Sequence, residues 1–154
     1  MSSSLQRGRL KIGDISLKNN VLLAPMSGVS DLPFRRLAAK FGAGAVVSEM
    51  VASKELVAGR KHVLGRVNWV DQAGDESGPN IIQLAGTEPH WMAEGARIAV
   101  QLGAQIIDIN MGCPAREVTG KQSGSALMRD LDHAERLIAA VCGAVDVPVT
   151  LKMR

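Results

Sequence analysis

Tyrosine is absent from this chain, and its aromatics are Phe34, Phe41, Trp69 and Trp91. So few rings argue against an RNA-binding sheet that stacks bases on aromatic side chains; any nucleic-acid contact has to rest on shape and phosphates. Cysteine is almost as scarce. Cys113 and Cys142 form no disulfide framework and no CxxC or Cys/His spacing of a zinc site, so reduced thiols and no metal are expected. Long hydrophobic runs are missing too: VLLAPM and IIDIN fall far short of the ~20 apolar residues that cross a bilayer. The opening MSSSLQRGRLKIGD has no apolar stretch behind its charges, so no secretory leader is expected. A cytoplasmic protein without membrane attachment is expected. Charge is only mildly one-sided, at +3, which permits a polyanionic partner without requiring one. Basic residues gather at RGRLK, FRR, GRK and over 116–129, where a solvated surface accounts for them on charge alone.

What the chain does have is alternation. Short apolar runs alternate with amphipathic segments over 154 residues, enough for one domain with a single core. LKIG and ISLK flank Gly13-Asp14, the signature of a small hairpin. NVLLAPM reads as a strand, and SDLPFRRLAAKFG as a helix with Ser30 or Asp31 as N-cap and Gly42 as its stop. AGAVVSEM is a second strand and ASKELVAGRK a short helix; residues 66–80 form a connecting loop. NIIQLAG, the helix EPHWMAEGARIAVQLGA from Pro89 to Gly103, and QIIDIN follow. DLDHAERLIAAVCGAV aligns Ala134, Ile138, Val141 and Val145 on one stripe, with Asp132 and Glu135 as a capping box and Cys142 as a core residue. DVPVTLKMR supplies the fifth strand.

Near-continuous apolar strands alternating with helices indicate an α/β fold with a covered parallel sheet. Two architectures fit: a doubly wound five-stranded sheet, and strands 1–5 of a (β/α)8 TIM barrel preceded by the hairpin, which would plug the barrel floor. No GxGxxG or P-loop follows the first strand, which removes the commonest reason for the doubly wound sheet. Pro25-Met26, Glu49, Gln83, Asn110 and Lys152 each fall at the C-terminal end of a different strand, where barrel enzymes keep their active sites. The N-terminal half of a barrel is the reading these features favour.

The candidate chemistry centres on Cys113. It follows a buried strand in a turn between Gly112, which allows close backbone approach, and Pro114, which holds the preceding residue extended. A small residue packed under a tight turn is the plain alternative. His62, His90 and His133 all read as helix-surface residues, so a Cys/His nucleophilic pair has no support, and a thiol acting as general acid is the better reading. Lys152 is either a strand-end lysine reaching water or a fixed cation beside a ring that becomes anionic on reduction. Gln83 and Asn110, in buried strands, need hydrogen-bond partners, either from the core or from a heteroaromatic ligand.

The segments APMSGVSDLPFR, GAVVSEM, IIQLAG, AQIIDINMGCPAREV, GSALM and VDVPVTLKMR, in that order and spacing, closely resemble the tRNA-dihydrouridine synthases, with the overall look of the bacterial B branch. The resemblance runs from Leu10 to Arg154 and is most specific at NMGCP. It implies FMN in a barrel mouth, with Pro25, Met26 and Ser27 matching the first flavin loop, Gln83 the amide on the flavin ring and Lys152 its supporting lysine. It implies hydride transfer to C6 of a uracil in tRNA, Cys113 protonating C5 and NADPH as reductant. Asn110 then matches the residue that holds the uracil edge, and Arg116 and Lys121 are candidate phosphate contacts. The family continues into further barrel strands and a helical tRNA-docking domain. Residues 1–154 therefore read as the N-terminal part of the catalytic domain, expected to be inactive alone. A non-catalytic half-barrel that binds RNA or a partner, or a flavin barrel acting on free pyrimidines, are the alternatives.

Overall fold

A computed structural model describes residues 9–67, 78–120 and 122–154. β1 (Lys11–Ile12) and β2 (Ile15–Ser16) pair antiparallel around Gly13-Asp14 as the expected hairpin. Then come β3 (Leu22–Leu23), α1 (Leu32–Lys40) and β4 (Ala45–Val47). Of the two candidate N-caps, Asp31 caps α1, its carboxylate accepting from the Phe34 amide at 2.9 Å. The helix stops at Gly42, whose φ of +99° favours a residue without Cβ.

AGAVVSEM is not one strand. The chain leaves the ladder after Val47 and rejoins it as β5 (Val51–Ala52). The Ser48 hydroxyl replaces the missing ladder bonds, donating to Glu49 O at 2.9 Å and accepting from the Gln83 amide at 3.0 Å. ASKELVAGRK likewise divides, into α2 (Ser53–Val57) and α3 (Lys61–Val67), so helix enters the start of the loop expected over 66–80. Residues 68–77, Trp69 included, lie outside the described residues. β6 (Asn80–Ala85), α4 (Pro89–Gln101), β7 (Ile106–Met111), α5 (Arg116–Thr119), a 3-10 turn (Gly124–Arg129), α6 (Leu131–Cys142) and β8 (Val149–Met153) complete the order.

The sheet order is β3-β4-β6-β7-β8, every adjacent pair parallel, with β5 also on β6. This order never reverses. A doubly wound sheet needs a reversal, whereas right-handed crossovers that always step the same way put all helices on one face, as in a barrel wall. The chain is half of a (β/α)8 barrel.

The strands are apolar on both faces near their starts and polar on the inner face further up. Ile82, Leu84, Ile107, Ile109 and Met111 face outward with Met92, Ala96 and Ala99 of α4 and Ala134, Leu137 and Val141 of α6 in one buried cluster. Leu17, Ala45, Val47, Ile81 and Ile106 make a second cluster, against which hairpin residues Ile12 and Ile15 pack. The hairpin thus covers the N-terminal ends of the strands. Two expectations for α6 change. Its N-cap is Asp130, accepting from the His133 amide at 2.9 Å, rather than the Asp132/Glu135 pair. Cys142 is exposed, because one residue's step of about 100° from buried Val141 turns it off the apolar stripe. Among the described residues no helix is long and apolar enough to cross a membrane.

Candidate active site

Period-two alternation on β7 puts Ile106, Asp108 and Asn110 on the inner face. Register aligns Gln83 with Asp108 and Asp108 with Thr150, and one step higher Asn110 with Lys152. A polar layer and a site layer therefore stand above an apolar floor. Pro25, Ser27, Met50, Gln83, Asn110, Gly112, Cys113, Pro114 and Lys152 line one cleft of about 330 Å³ at the C-terminal strand ends. Six residues singled out from the sequence thus meet in one place: Pro25, Ser27, Gln83, Asn110, Cys113 and Lys152. Met26 sits in the same loop but is 38% exposed and does not line the cleft. Arg116 begins α5 and is exposed outside the cleft, and Lys121 lies outside the described residues.

Hydrogen bonds at both ends hold the turn that carries the thiol. The Asn110 Oδ1 atom accepts from the Gly112 amide at 3.3 Å and the Cys113 amide at 3.1 Å. Cys113 O accepts from the Ser125 amide at 3.0 Å. Gly124 makes that second contact possible: its φ is +60°, and a Cβ there would sit 2.5 Å from Cys113 O. The first flanking loop is equally fixed. Ser30 Oγ accepts from the Met26 amide at 2.8 Å and donates to Met26 O at 3.1 Å, while Glu49 Oε1 accepts from the Gly28 amide at 2.5 Å. Arg35, within the FRR cluster read as solvated, is 1% exposed and donates from Nη1 to Ser30 O at 2.7 Å. Burial draws its pKa down, and Glu49 and Asp31 act to hold it up.

Beneath the cleft the polar side chains join. Thr150 Oγ1 donates to Asp108 Oδ1 at 2.6 Å, and Gln83 Nε2 donates to Asp108 Oδ2 at 2.6 Å. Asn110 Nδ2 donates to Gln83 Oε1 at 2.8 Å and lies 3.5 Å from Met50 Sδ. Desolvation raises the Asp108 pKa, against the hydrogen bonds from Thr150 and Gln83 and the charge of Lys152, which lower it.

The dihydrouridine synthase profile matches residues 22–154. The chain belongs to the dihydrouridine synthase family. It is 61% identical over 140 residues to a probable tRNA-dihydrouridine synthase of Rhizobium leguminosarum bv. phaseoli, covering 91% of this chain and 43% of that protein. It is 57% identical over 145 residues to a probable tRNA-dihydrouridine synthase of Rhodobacter capsulatus, covering 94% and 44%. To tRNA-dihydrouridine synthase B of Xanthomonas campestris pv. campestris it is 52% identical over 145 residues, covering 94% and 42%. The chain therefore spans less than half the length of these relatives. Among solved structures, histamine dehydrogenase from Rhizobium sp. 4-9 shares the fold with a TM-score of 0.62 at 12% identity, over 95% of this chain and 33% of that one. The family resemblance read from the motifs is borne out.

Sequence reasoning missed Asp108, Thr150, Ser48 and Arg35. Asp108 was legible in principle, since it stands two residues before Asn110 and so on the same strand face. Thr150 and Ser48 become visible only through register. His133 departs from its expected surface role: it is partly buried, with Nε2 2.7 Å from Thr87 O and 3.2 Å from Thr87 Oγ1.

Proposed function

We propose that the protein containing this chain is a tRNA-dihydrouridine synthase, using FMN and NADPH to reduce the C5–C6 bond of uridine in tRNA. The observation that carries this reading is the convergence of Cys113, Gln83, Asn110 and Lys152 on one cleft at the strand ends, in a chain of this family. The residues fit the ring portion of a flavin: Ser27, Gln83 and Lys152 offer polar hydrogens, while Pro25 and Met50 offer apolar surface. When bound, FMN supplies the hydride that adds to C6, and NADPH restores it.

Every other step falls to the chain's own groups. Cys113 gives the proton on Sγ to C5 as the C5–C6 double bond is lost, and the resulting thiolate takes a proton back from solvent. Lys152 places positive charge where the ring system gains negative charge. Asn110 spends Oδ1 on the turn, so the hydrogen it has for a uracil carbonyl is the Nδ2 hydrogen now directed at the weak acceptor Met50 Sδ. The Pro25-Met26-Ser27 loop flanks the flavin, and Arg116 and Lys121 meet tRNA phosphates. In this reading the full-length protein adds the rest of the barrel and a helical tRNA-docking domain, and these 154 residues alone are inactive. The protein works in the cytoplasm.

The test is dihydrouridine formation by the full-length protein on tRNA lacking the modification, with NADPH. Cys113→Ala should lower turnover by about 10²- to 10⁴-fold, the usual worth of a general acid, while flavin absorbance stays. No dihydrouridine from the wild type, or undiminished turnover in C113A, would reject the reading.

A further inference from the structure

The buried chain from Thr150 to the Cys113 turn has a direction. Backbone amides only donate, so the amides of Gly112 and Cys113 require Asn110 to face them with Oδ1. Nδ2 then faces Gln83 Oε1, which turns Gln83 Nε2 away toward Asp108. At that end a donor needs an acceptor. A carboxylate offers acceptors alone, and Asp108, 6% exposed, sits there with Thr150 donating to its other oxygen.

We propose that Asp108 is a positioning residue for the thiol: through Gln83 and Asn110 it fixes the orientation of two buried amides and thereby the turn that presents Cys113. If Gln83 reversed, its Nε2 would claim Asn110 Oδ1, and Asn110 Nδ2 would face two backbone donors. The turn would lose both side-chain bonds at once. The polar groups facing Asp108 are Gln83 from β6 and Thr150 from β8, and the charge acting on it is that of Lys152 on β8.

The direction can be reversed by design. In Asn110→Asp a second carboxylate still accepts the two turn amides, but Gln83 then lies between two acceptors and can donate to only one. One carboxylate must take up a proton, and such pairs have one strongly raised pKa. Adding Asp108→Asn removes the conflict: Asn at 108 donates to Gln83 Oε1 and still accepts from Thr150, and Gln83 Nε2 donates to the new carboxylate at 110. Both ends of the chain are satisfied, with the middle running backwards.

The measurement is the Cys113 amide signal in the full-length protein labelled with [15N]cysteine, together with the pH profile of Cys113 alkylation, with exposed Cys142 as internal reference. N110D should move the Cys113 signal between about pH 5 and 8, the range reached by a raised carboxylate, and add an inflection to the alkylation profile. The D108N/N110D double variant should lose both effects. If N110D alone does not fold, the double variant should recover folded protein. Effects that persist unchanged in the double variant, are absent from both, or are accompanied by no recovery of folding would overturn the proposal. The significance of the relay rests on Cys113 being the proton donor, but these readouts need neither flavin nor RNA. A wild type inactive on tRNA would reject the functional reading and leave the relay standing.

Discussion

Asp108 is the residue where burial and chemistry meet most directly. Its raised pKa means the folded state binds a proton more readily than the unfolded chain does. Stability is therefore greatest below the ordinary carboxylate value of 3.8 and falls as pH rises from there through the raised value. Asp108→Asn has no such proton to lose. Urea unfolding at a series of pH values should show the stability of wild type declining relative to D108N across that window, and a flat difference would contradict the assigned burial. Cys113, by contrast, was singled out from its neighbours Gly112 and Pro114, and the structure brings it into the cleft. Its partners were not, because Ser125 and Gly124 reach Cys113 O through a loop whose path no local pattern fixes.

Elements were legible wherever one face met one environment. α4 starts at Pro89 and stops before Gly103, whose φ of +96° suits its glycine, and its buried Met92, Ala96 and Ala99 recur at helical spacing. The N-cap of α6 was misplaced because acidic residues crowd its start, and local sequence does not say which carboxylate turns back onto the backbone. Asp130 does so, accepting from the His133 amide at 2.9 Å. Asp130→Ala should thus cost about 1 kcal/mol, the usual worth of an N-cap, whereas Asp132→Ala should cost less. Thermal unfolding of the two variants checks the order. The break between β4 and β5 was missed because the apolar residues of AGAVVSEM read as those of one continuous strand. Ser48 takes over the ladder bonds with its side chain, a substitution that hydropathy does not register.

At the scale of the molecule, the two ends of the half-barrel do different work. The hairpin and Leu17 seal an apolar floor, and the cleft opens above the polar layer. Leu17, 1% exposed, should cost about 2–5 kcal/mol when cut to alanine. Because it sits at the opposite end from the thiol, Cys113 alkylation in L17A should match wild type under conditions where both are folded. Chemical denaturation and peptide-resolved alkylation measure the two quantities separately; a matching change in alkylation would mean that floor and mouth are coupled.

The sequence by itself determined most of the element types, the parallel α/β class, the opening hairpin and the turn that carries Cys113, because helix and strand periodicity and turn chemistry act over a few residues. Its motifs also carried the family. Only the tertiary structure decided that Gln83, Asp108 and Thr150 form one hydrogen-bonded layer, that Arg35 is buried beneath the first loop, and that Asn110 aims its oxygen at the Cys113 turn. These follow from register between strands distant in the chain and from loop paths. A one-residue slip in either strand pairing would send the same side chains to the opposite face.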